Sequence, residues 1–380
     1  MPQMENRLIG SNRNWLECIN WQVDFYQRFS QERRTDPGFP WALVDGEITP
    51  PVQDLRALAK RALHMLGLRR TRTQLSSEWL QSDWLNSNAE PLWEARSLLN
   101  DELSKLLLDA TLVLRLAGHR QFYFPRIDFD DLVEIVDEKP FHISDFPRDY
   151  LGIPLKLFGV RLLEHPNTVP IEMVTYRDSL IQLNSYRQYL VRRSLIDTSP
   201  VPGDIVLDCG ACIGDTALLF AGLVAMQGEV HLFEPIPLHA RYCRLQASLN
   251  PSLAHVLHVN ELAVSSRTYV TSGDRSDSDR IAPGGLAIDS FASTSLDDYA
   301  SSKLSRVDFI KMDVEGAEMD AIDGAAKIIR ELKPRLAISA YHKPDDLWEI
   351  PIKLKSLNPS YELYFGHHSP VRWESVFYAV

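Results

Sequence analysis

The chain has 380 residues, of which 45% are apolar and 24% are charged, proportions typical of a globular protein with room for two domains. Its net charge of -11 disfavours broad nucleic-acid binding, because a surface that follows phosphates needs an excess of basic residues. Neither a signal peptide nor an apolar run near the roughly 18 residues that span a bilayer can be recognised. We therefore expect a cytoplasmic protein with no transmembrane segment and no nucleic-acid partner.

The first part of the chain, residues 1–175, is predicted to be a mainly helical accessory region. Apolar residues recur with a spacing near 3.6 over 55–68 and 93–116. The first of these stretches ends in a basic cluster of Lys60, Arg61, Arg69, Arg70 and Arg72. This cluster is either a solvated helix face, with charge suited to a helix C-terminus, or a docking site for an acidic glycan, lipid or membrane surface.

Residues 176–380 alternate strand patterns with helical patterns, an order that predicts an α/β domain with a Rossmann-like, mostly parallel sheet. The ending, YELYFGHH followed by ESVFYAV, predicts a last pair of strands of which one is antiparallel. The segment 265–285 is rich in Ser, Asp and Gly, so we expect it to be a long loop.

The most informative segment is DIVLDCGACIGDT, residues 204–216. A short apolar strand ends at Asp208, and Gly210 and Gly214 allow a tight turn and a close approach to a ligand. The helical pattern that follows places the loop amides near a helix N-terminus. Glu234 ends the next strand, about 20 residues past the loop, where a ribose-binding carboxylate is expected.

The spacing of the two glycines indicates which cofactor the loop suits. Three residues separate Gly210 from Gly214 and no third glycine follows in register, so the G-x-G-x-x-G pattern of dinucleotide binding is absent. The loop therefore better suits a cofactor without phosphates. Cys209 and Cys212 form a C-x-x-C inside this loop; because no second pair exists, we interpret them as small packed residues, with a zinc or redox site as the alternative.

The chain resembles the class I S-adenosylmethionine-dependent methyltransferases, and within them the FkbM family. The resemblance rests on DCGACIGDT at 208–216, FEP at 233–235, VDFIKMDVEGAEMDAIDGA at 307–325, and the tail from SAYHKPDDLWEIP at 339–351 through YELYFGHHS to ESVFYAV. It implies a seven-stranded sheet, S-adenosylmethionine as cofactor and S-adenosylhomocysteine as product. It also implies O-methylation of a sugar hydroxyl in a glycan, lipopolysaccharide or secondary metabolite.

The cofactor's charges and hydroxyls indicate which residues bind it. Its sulfonium and amino group favour carboxylates at strand ends, and its ribose diol favours a bidentate acid such as Glu234. Asp215 and Thr216 either cap the helix or contact the ligand, and Ala263 is expected to reach adenine through its backbone. The predicted cofactor-binding residues are Asp208, Gly210, Ala211, Gly214, Asp215, Thr216, Glu234, Ala263 and Asp313.

Catalysis of methyl transfer depends mainly on alignment, which can contribute about 7 to 11 kcal/mol. A hydroxyl acceptor also needs a base, since its own pKa is high. We predict His342, which follows the strand RLAISAY, as that base, together with Asp313; His367 is a second candidate. A rival mechanism uses Mg²⁺ on Asp313, Glu315 and another acid such as Asp345, but no diagnostic ligand spacing predicts a metal site.

Two other classes of function stay open at this stage. A nicotinamide-dependent oxidoreductase on a similar fold is disfavoured by the missing third glycine. A non-catalytic binding protein that kept the fold is disfavoured by the intact loop and by Glu234. The oligomeric state, and whether the acceptor is a small molecule or a glycan, are not determined by the sequence.

Overall fold

The computed structural model describes residues 15, 16, 18–20, 22, 82–117, 130–150, 152–163, 170–193, 196–270, 292–369 and 373–380. The basic cluster at 60–72, the helix predicted over 55–68 and most of the loop predicted at 265–285 lie outside these residues. Within the part of the chain that is described, no helix combines the length and the apolar composition needed to cross a bilayer.

Among the described residues, ten α-helices follow residues 15, 16, 18–20 and 22, which are themselves helical. Their bounds are α1 Ser82–Ser87, α2 Ala89–Ser97, α3 Glu102–Ala117, α4 Arg177–Asn184, α5 Asp215–Val224, α6 Pro237–Leu249, α7 Leu296–Lys303, α8 Glu318–Gly324, α9 Ala326–Glu331 and α10 Asp346–Leu357. A 3₁₀ turn, Ala225–Gln227, follows α5.

The described strands are β1 Val133–Pro140, β2 Asp149–Tyr150, β3 Ile153–Pro154, β4 Lys156–Leu162, β5 Ile171–Thr175, β6 Arg192–Arg193, β7 Ile196–Asp197, β8 Ile205–Cys209, β9 Glu229–Phe233, β10 Leu257–Asn260, β11 Ala263–Val264, β12 Tyr269–Val270, β13 Ala292–Thr294, β14 Phe309–Met312, β15 Arg335–Ser339, β16 Leu363–His367 and β17 Ser375–Ala379.

A seven-stranded mixed sheet forms the centre of the molecule, in the order β10-β9-β8-β14-β15-β17-β16. The pairings from β10 through β15 are parallel, whereas β17 runs antiparallel to both β15 and β16. The predicted final pair of strands is thus confirmed. All five residues of β8 are buried, as expected for a strand covered by helices on both faces.

The described residues within 133–175 are not helical, and the prediction of a mainly helical region over 1–175 is wrong for them. They contain the three-stranded antiparallel sheet β1-β4-β5. The helical expectation is met over 82–117, where most residues lie in α1, α2 and α3. The sequence of β4, KLFGVRL, and of β5, IEMVT, explains the difference, because β-branched and aromatic residues suit a pleated, half-buried surface better than a helix.

The small antiparallel sheet shares a hydrophobic core with the central sheet. Phe158 and Met173 belong to the same buried cluster as Val206 and Leu218. Gly222 on α5 allows this close packing, since a Cβ there would lie 2.5 Å from a Leu162 side-chain carbon. The predicted domain boundary between residues 175 and 176 therefore falls within one core.

The N-terminal helices pack on the other face of the central sheet. Leu107 and Leu112 of α3 share a buried cluster with Phe365 of β16. The Asn100 N–H also donates to the Leu363 carbonyl at 2.8 Å. Both described parts of the N-terminal region therefore complete the core of the C-terminal domain.

Candidate functional site

The glycine loop lies at the carboxyl end of β8 and turns through three residues with positive φ. These residues are Gly210 at 77°, Cys212 at 50° and Gly214 at 82°. A Cβ added to Gly210 would lie 1.8 Å from the Asp313 carbonyl oxygen, so only glycine permits this approach between the loops after β8 and β14. The close contact brings the predicted loop residues to the same edge as Asp313.

Glu234 is bound directly to this loop. Its Oε2 accepts from the Cys212 N–H at 2.8 Å and its Oε1 accepts from the Ile236 N–H at 2.9 Å. These two bonds fix the plane of the carboxylate, and each oxygen keeps a second lone pair for a ligand hydroxyl. The geometry suits the predicted contact with a ribose diol.

Asp208 lies beneath the loop and has no exposed surface. The ammonium group of Lys311, its neighbour on β14, is 2.9 Å from Asp208 Oδ1 and donates to the Gly210 carbonyl at 2.6 Å. Burial, with a smaller opposing effect of Lys311, raises the pKa of Asp208. Asp208 therefore supports the loop through Lys311, and its direct contact with a cofactor stays a prediction.

Asp215 and Thr216 are the first two residues of α5, but the N-cap position is Gly214 and no side chain caps the helix. Asp215 Oδ2 accepts from the hydroxyls of Thr175 at 2.6 Å and Ser179 at 2.7 Å, and Oδ1 accepts from the Thr216 N–H at 2.9 Å. Both residues are buried. The Asp215 side chain thus links the start of α5 to the last residue of β5 and to α4.

Asp313 follows β14 and is held by two tyrosines. Tyr189 donates to Oδ2 at 2.8 Å, and Tyr341 donates to Oδ1 at 2.9 Å. Burial raises the pKa of Asp313, but Lys311, His342 and the two phenols more than offset this effect, so the pKa is lowered. Asp313 is therefore an ionised carboxylate whose position is fixed on both oxygens.

His342 lies among three carboxylates at the edge of the sheet. Its Nδ1 is 2.9 Å from Glu318 Oε1, and its Nε2 is 3.5 Å from Asp313 Oδ1 and 3.6 Å from Glu315 Oε2. Burial lowers the pKa of His342, but the acids outweigh this effect and raise it to about 9. The imidazole is therefore protonated at neutral pH, so the predicted role as a base requires that this pKa fall on ligand binding.

Two further predicted residues lie on other strands of the domain. Ala263 begins β11, which pairs with β13. His367 is buried on β16, with Nδ1 2.9 Å from Ser375 Oγ. Its neighbour His368 lies between the Tyr186 carbonyl and the Tyr378 hydroxyl, and burial lowers its pKa to about 4.

A metal ion bound beside His342 would have a different set of ligands from the set predicted for Mg²⁺. Asp313, Glu318 and His342 each offer a ligand atom within 4.8 Å of the others, and Asp345 is not in this group. However, Asp313 and Glu318 face opposite nitrogens of the imidazole. One ion therefore cannot bind all three without rotation of the ring.

Sequence reasoning missed an aromatic group beside the glycine loop. Tyr150 stacks on Tyr176 with ring centroids 6.1 Å apart and lies 5.4 Å from the His239 ring. The Cys212 thiol donates to the Tyr150 oxygen at 3.2 Å. No local motif marks these residues, because they come from three separate places in the chain: β2, the residue after β5, and α6.

The two loop cysteines are packed within the loop, and the choice between a packing role and a zinc or redox role stays a prediction. Cys209 is buried and Cys212 is partly buried, and both are free thiols. Burial raises the pKa of each thiol, so both stay protonated at neutral pH.

A seven-stranded mixed sheet with a glycine loop at the carboxyl end of β8, one of its inner strands, is the arrangement that the resemblance to class I methyltransferases implies. Residues 208–367 match the family model described as the Methyltransferase FkbM domain. This segment contains the glycine loop, Glu234, Asp313 and His342. Residues 208–367 are therefore similar to the FkbM methyltransferase domain.

A solved structure supports the fold. The chain aligns with the crystal structure of Methyltransferase FkbM from Methylobacillus flagellatus KT at a TM-score of 0.52 and 21% identity, over 78% of this chain and 60% of that one. The chain thus spans about 60% of the length of that relative. A search of curated proteins gives no match.

Two further structures align less closely and add nothing to the assignment. One is the Aeropyrum pernix fibrillarin with natively bound S-adenosyl-L-methionine, at 12% identity and a TM-score of 0.37, covering 65% of this chain and 99% of that one. The other is the O-methyltransferase from Bacillus cereus in complex with SAH, at 16% identity and a TM-score of 0.31, covering 46% and 73%.

Proposed function

We propose that this protein transfers a methyl group from S-adenosylmethionine to a hydroxyl of a sugar, in a glycan, lipopolysaccharide or secondary metabolite. The observation that carries the proposal is that the FkbM-matched segment brings Gly210, Glu234, Asp313 and His342 to one edge of the sheet. Open α/β sheets bind their ligands at this edge. The cytoplasmic location and the lack of a nucleic-acid partner stay predictions.

The cofactor site is formed by the loop, Glu234 and Asp313. Glu234 offers two oriented oxygens to the ribose hydroxyls, and the left-handed glycines let the backbone approach the ligand. Asp313, ionised and partly exposed, is suited to the cationic end of the cofactor. When bound, the cofactor supplies an activated methyl group on its sulfonium.

The proposed base is His342. In the free site, three carboxylates hold its proton. A cationic ligand next to Asp313 opposes this effect, because it places a like charge near the imidazolium. We therefore propose that cofactor binding lowers the pKa of His342 and prepares it to accept the hydroxyl proton. Asp313 and Glu318 then hold the ring in position.

An aromatic residue beside this group supports a sugar acceptor. Trp373 is 40% exposed and packs edge-on against Tyr341 with ring centroids 5.9 Å apart. Tyr341 in turn donates to Asp313. An exposed indole gives the apolar face of a sugar ring a surface to pack on, next to acids that bind its hydroxyls. Trp373→Ala is expected to raise KM for the acceptor while kcat changes little.

Calorimetric titration with S-adenosylmethionine and NAD(H) tests the cofactor assignment. We expect micromolar binding of S-adenosylmethionine, weakened about 10-fold to 100-fold in Glu234→Gln because a charged hydrogen-bond acceptor is lost. Glu261→Gln is the matched control, since Glu261 is exposed and pairs only with Arg244 among the described residues. Binding of NAD(H) alone would favour an oxidoreductase.

Methyl transfer itself is tested with isotopically labelled S-adenosylmethionine and a panel of carbohydrates and metabolites, with products identified by mass spectrometry. Label on a sugar oxygen supports the proposal. Label on a nitrogen or carbon atom would mean that the enzyme catalyses N- or C-methylation and not O-methylation. Tight S-adenosylhomocysteine binding without transfer to any acceptor favours a binding protein that kept the fold.

A further inference from the structure

A second cluster of titratable side chains lies on the edge of the central sheet, away from the glycine loop. Glu229 and His231 are alternate residues of β9, and His258 of β10 pairs with His231 in register. We refer to Glu229, His231 and His258 as the edge cluster. At about 3.3 Å per residue, Glu229 is roughly 16 Å from Glu234 at the other end of the strand.

The three side chains converge on one carboxylate oxygen. Nε2 of His231 is 2.9 Å from Glu229 Oε2, and Nε2 of His258 is 3.8 Å from the same atom. The two imidazoles stack with centroids 4.5 Å apart and planes inclined by 17°. His231 is buried, whereas the other two side chains are about half exposed. The edge cluster is therefore accessible from solvent.

A chain of hydrogen bonds determines which nitrogen of His231 carries hydrogen. The Asn260 amide nitrogen donates to the carbonyls of Leu232 and His258, so its oxygen is the acceptor for the Tyr299 hydroxyl at 3.1 Å. When the Tyr299 hydrogen is directed at Asn260, the Tyr299 oxygen is the acceptor for His231 Nδ1 at 2.8 Å. The hydrogen of a neutral His231 is thus on Nδ1.

Nε2 of a neutral His231 then presents a lone pair to the Glu229 carboxylate. Two acceptors 2.9 Å apart need a positive charge between them. The ligand atoms of Glu229, His231 and His258 all lie within 4.8 Å of one another, so a single ion can reach all three. The contact is better completed by a cation that both groups can bind.

We propose that the edge cluster is a binding site for a divalent transition-metal ion of the zinc type. Two neutral imidazoles and one carboxylate form a donor set that zinc accepts, with zinc–nitrogen distances of about 2.0–2.1 Å. The exposed His258 ring turns to direct its Nε2 at the ion, and water fills the fourth position. Tyr299 is a positioning residue, because its hydrogen bond to Nδ1 directs Nε2 of His231 towards the site.

The bound ion would join β10 to β9 at the open edge of the sheet, so it is expected to stabilise this edge. Binding to the folded chain alone raises the melting temperature with ion concentration. It is also expected to weaken as pH falls, because both histidines must be neutral. Glu229, His258 and Lys303 are the charged or titratable neighbours that set this pH dependence.

The test is a titration of the full-length, chelator-treated protein with Zn²⁺ by calorimetry near pH 7.5. We expect one ion to bind at this site, and binding to weaken at least about 100-fold in His258→Ala, whose exposed side chain can be removed without disturbing the core. Glu229→Gln is expected to act similarly, and Tyr299→Phe to weaken binding about 10-fold to 100-fold. His255→Ala, an exposed histidine outside the edge cluster, is the matched control.

His342→Gln separates this site from the histidine and acids beside the glycine loop. Zinc binding that persists in His342→Gln and is lost in His258→Ala supports the proposal. Absence of zinc binding, or binding that survives His258→Ala, overturns it. Co²⁺ in place of Zn²⁺ gives an independent readout, because visible absorption from a low-coordinate Co²⁺ site should disappear in His258→Ala and persist in His255→Ala.

Discussion

His342 and His231 are both buried beside carboxylates, yet their pKa values move in opposite directions. Three carboxylates face His342, and they outweigh its burial to raise the pKa to about 9. One carboxylate, Glu229, faces His231, and burial prevails, so the pKa is lowered. Nearby carboxylates alone therefore do not determine whether the pKa of a buried histidine is raised or lowered.

The exposure of the acids explains much of the difference. Glu318 is fully buried and Asp313 is 22% exposed, so their charges act on His342 with little screening by water. The carboxylate of Glu229 is 46% exposed, and water weakens its effect on His231. The first site holds a proton, whereas the second keeps a lone pair available.

The largest effect that we expect from this contrast is a loss of stability at alkaline pH. The folded pKa of His342, about 9, is above the unfolded value of 6.5, so its stabilising contribution is complete below about pH 6.5 and is lost as pH rises through about 9. The loss is on the order of 3 kcal/mol. Urea denaturation from pH 6 to 10 should show a flatter dependence in His342→Gln, and the wild-type slope in His255→Gln. Equal slopes in all three proteins would contradict the electrostatic account.

Asp313→Asn is expected to weaken S-adenosylmethionine binding about 10-fold to 100-fold, because it removes the ionised carboxylate proposed to face the cationic end of the cofactor. Calorimetry measures the effect. Asp320→Asn, an exposed acid on α8, is the control and should leave the affinity unchanged. If Asp313→Asn binds as tightly as wild type, this part of the site is assigned wrongly.

Glu318→Gln and Glu315→Gln compare the effect of a buried acid and of an exposed acid on the pKa of His342. We expect Glu318→Gln to lower the proton affinity of His342 at least about tenfold, since Glu318 is buried and nearest to the ring. The same change at Glu315, which is 57% exposed, should have a smaller effect because water screens it. Histidine resonances followed by NMR against pH give both shifts. A larger shift from Glu315→Gln would reverse the explanation.

Proton release on cofactor binding tests the proposed activation of His342. At pH 8 a group with a pKa of about 9 is about nine tenths protonated. S-adenosylmethionine should therefore release a few tenths of a proton, whereas S-adenosylhomocysteine, which lacks the sulfonium charge, should release less. Calorimetry in buffers with different ionisation enthalpies measures this number.

Glu374, whose pKa burial raises to about 7, is a second possible source of the proton. His342→Gln should abolish the difference between the two ligands, while Glu374→Gln should preserve it. If the difference is lost in Glu374→Gln and kept in His342→Gln, Glu374 is the group that releases the proton.

The sequence predicted the parts of the site that are local in the chain. The strand, the glycine loop and the next strand's acid are contiguous patterns, and Asp313 and His342 each follow a strand of the same sheet, so their meeting at one edge could be expected. Tyr189 could not be predicted, because it is 124 residues from Asp313 and no motif links the two. The pKa of His342 was also inaccessible, since it depends on which acids are buried around the ring.

The antiparallel sheet at 133–175 was missed for a different reason. Only Val133 of the eight residues of β1 is buried, so the strand lacks the alternation of apolar and polar residues that identifies a half-buried strand. Its pairing with β4 determines its conformation. Long-range pairing of this kind has no local signature, whereas the helices over 82–117 are recognisable because their apolar residues repeat locally.

The smallest effect expected from the contrast is at acid pH. The folded pKa of His231 is below the unfolded value, so the unfolded chain binds more protons and stability falls as pH decreases below about 6.5. His368, whose pKa is lowered to about 4, contributes in the same direction, so His231→Gln should remove only part of the slope between pH 7 and 5. The free energy of unfolding therefore changes with pH in the opposite direction to the change that His342 causes. Zinc should make the pH dependence of the wild type steeper, because protonation then also releases the ion. Urea midpoints with and without Zn²⁺ measure both effects, and a slope that zinc leaves unchanged would mean that His231 does not bind the ion.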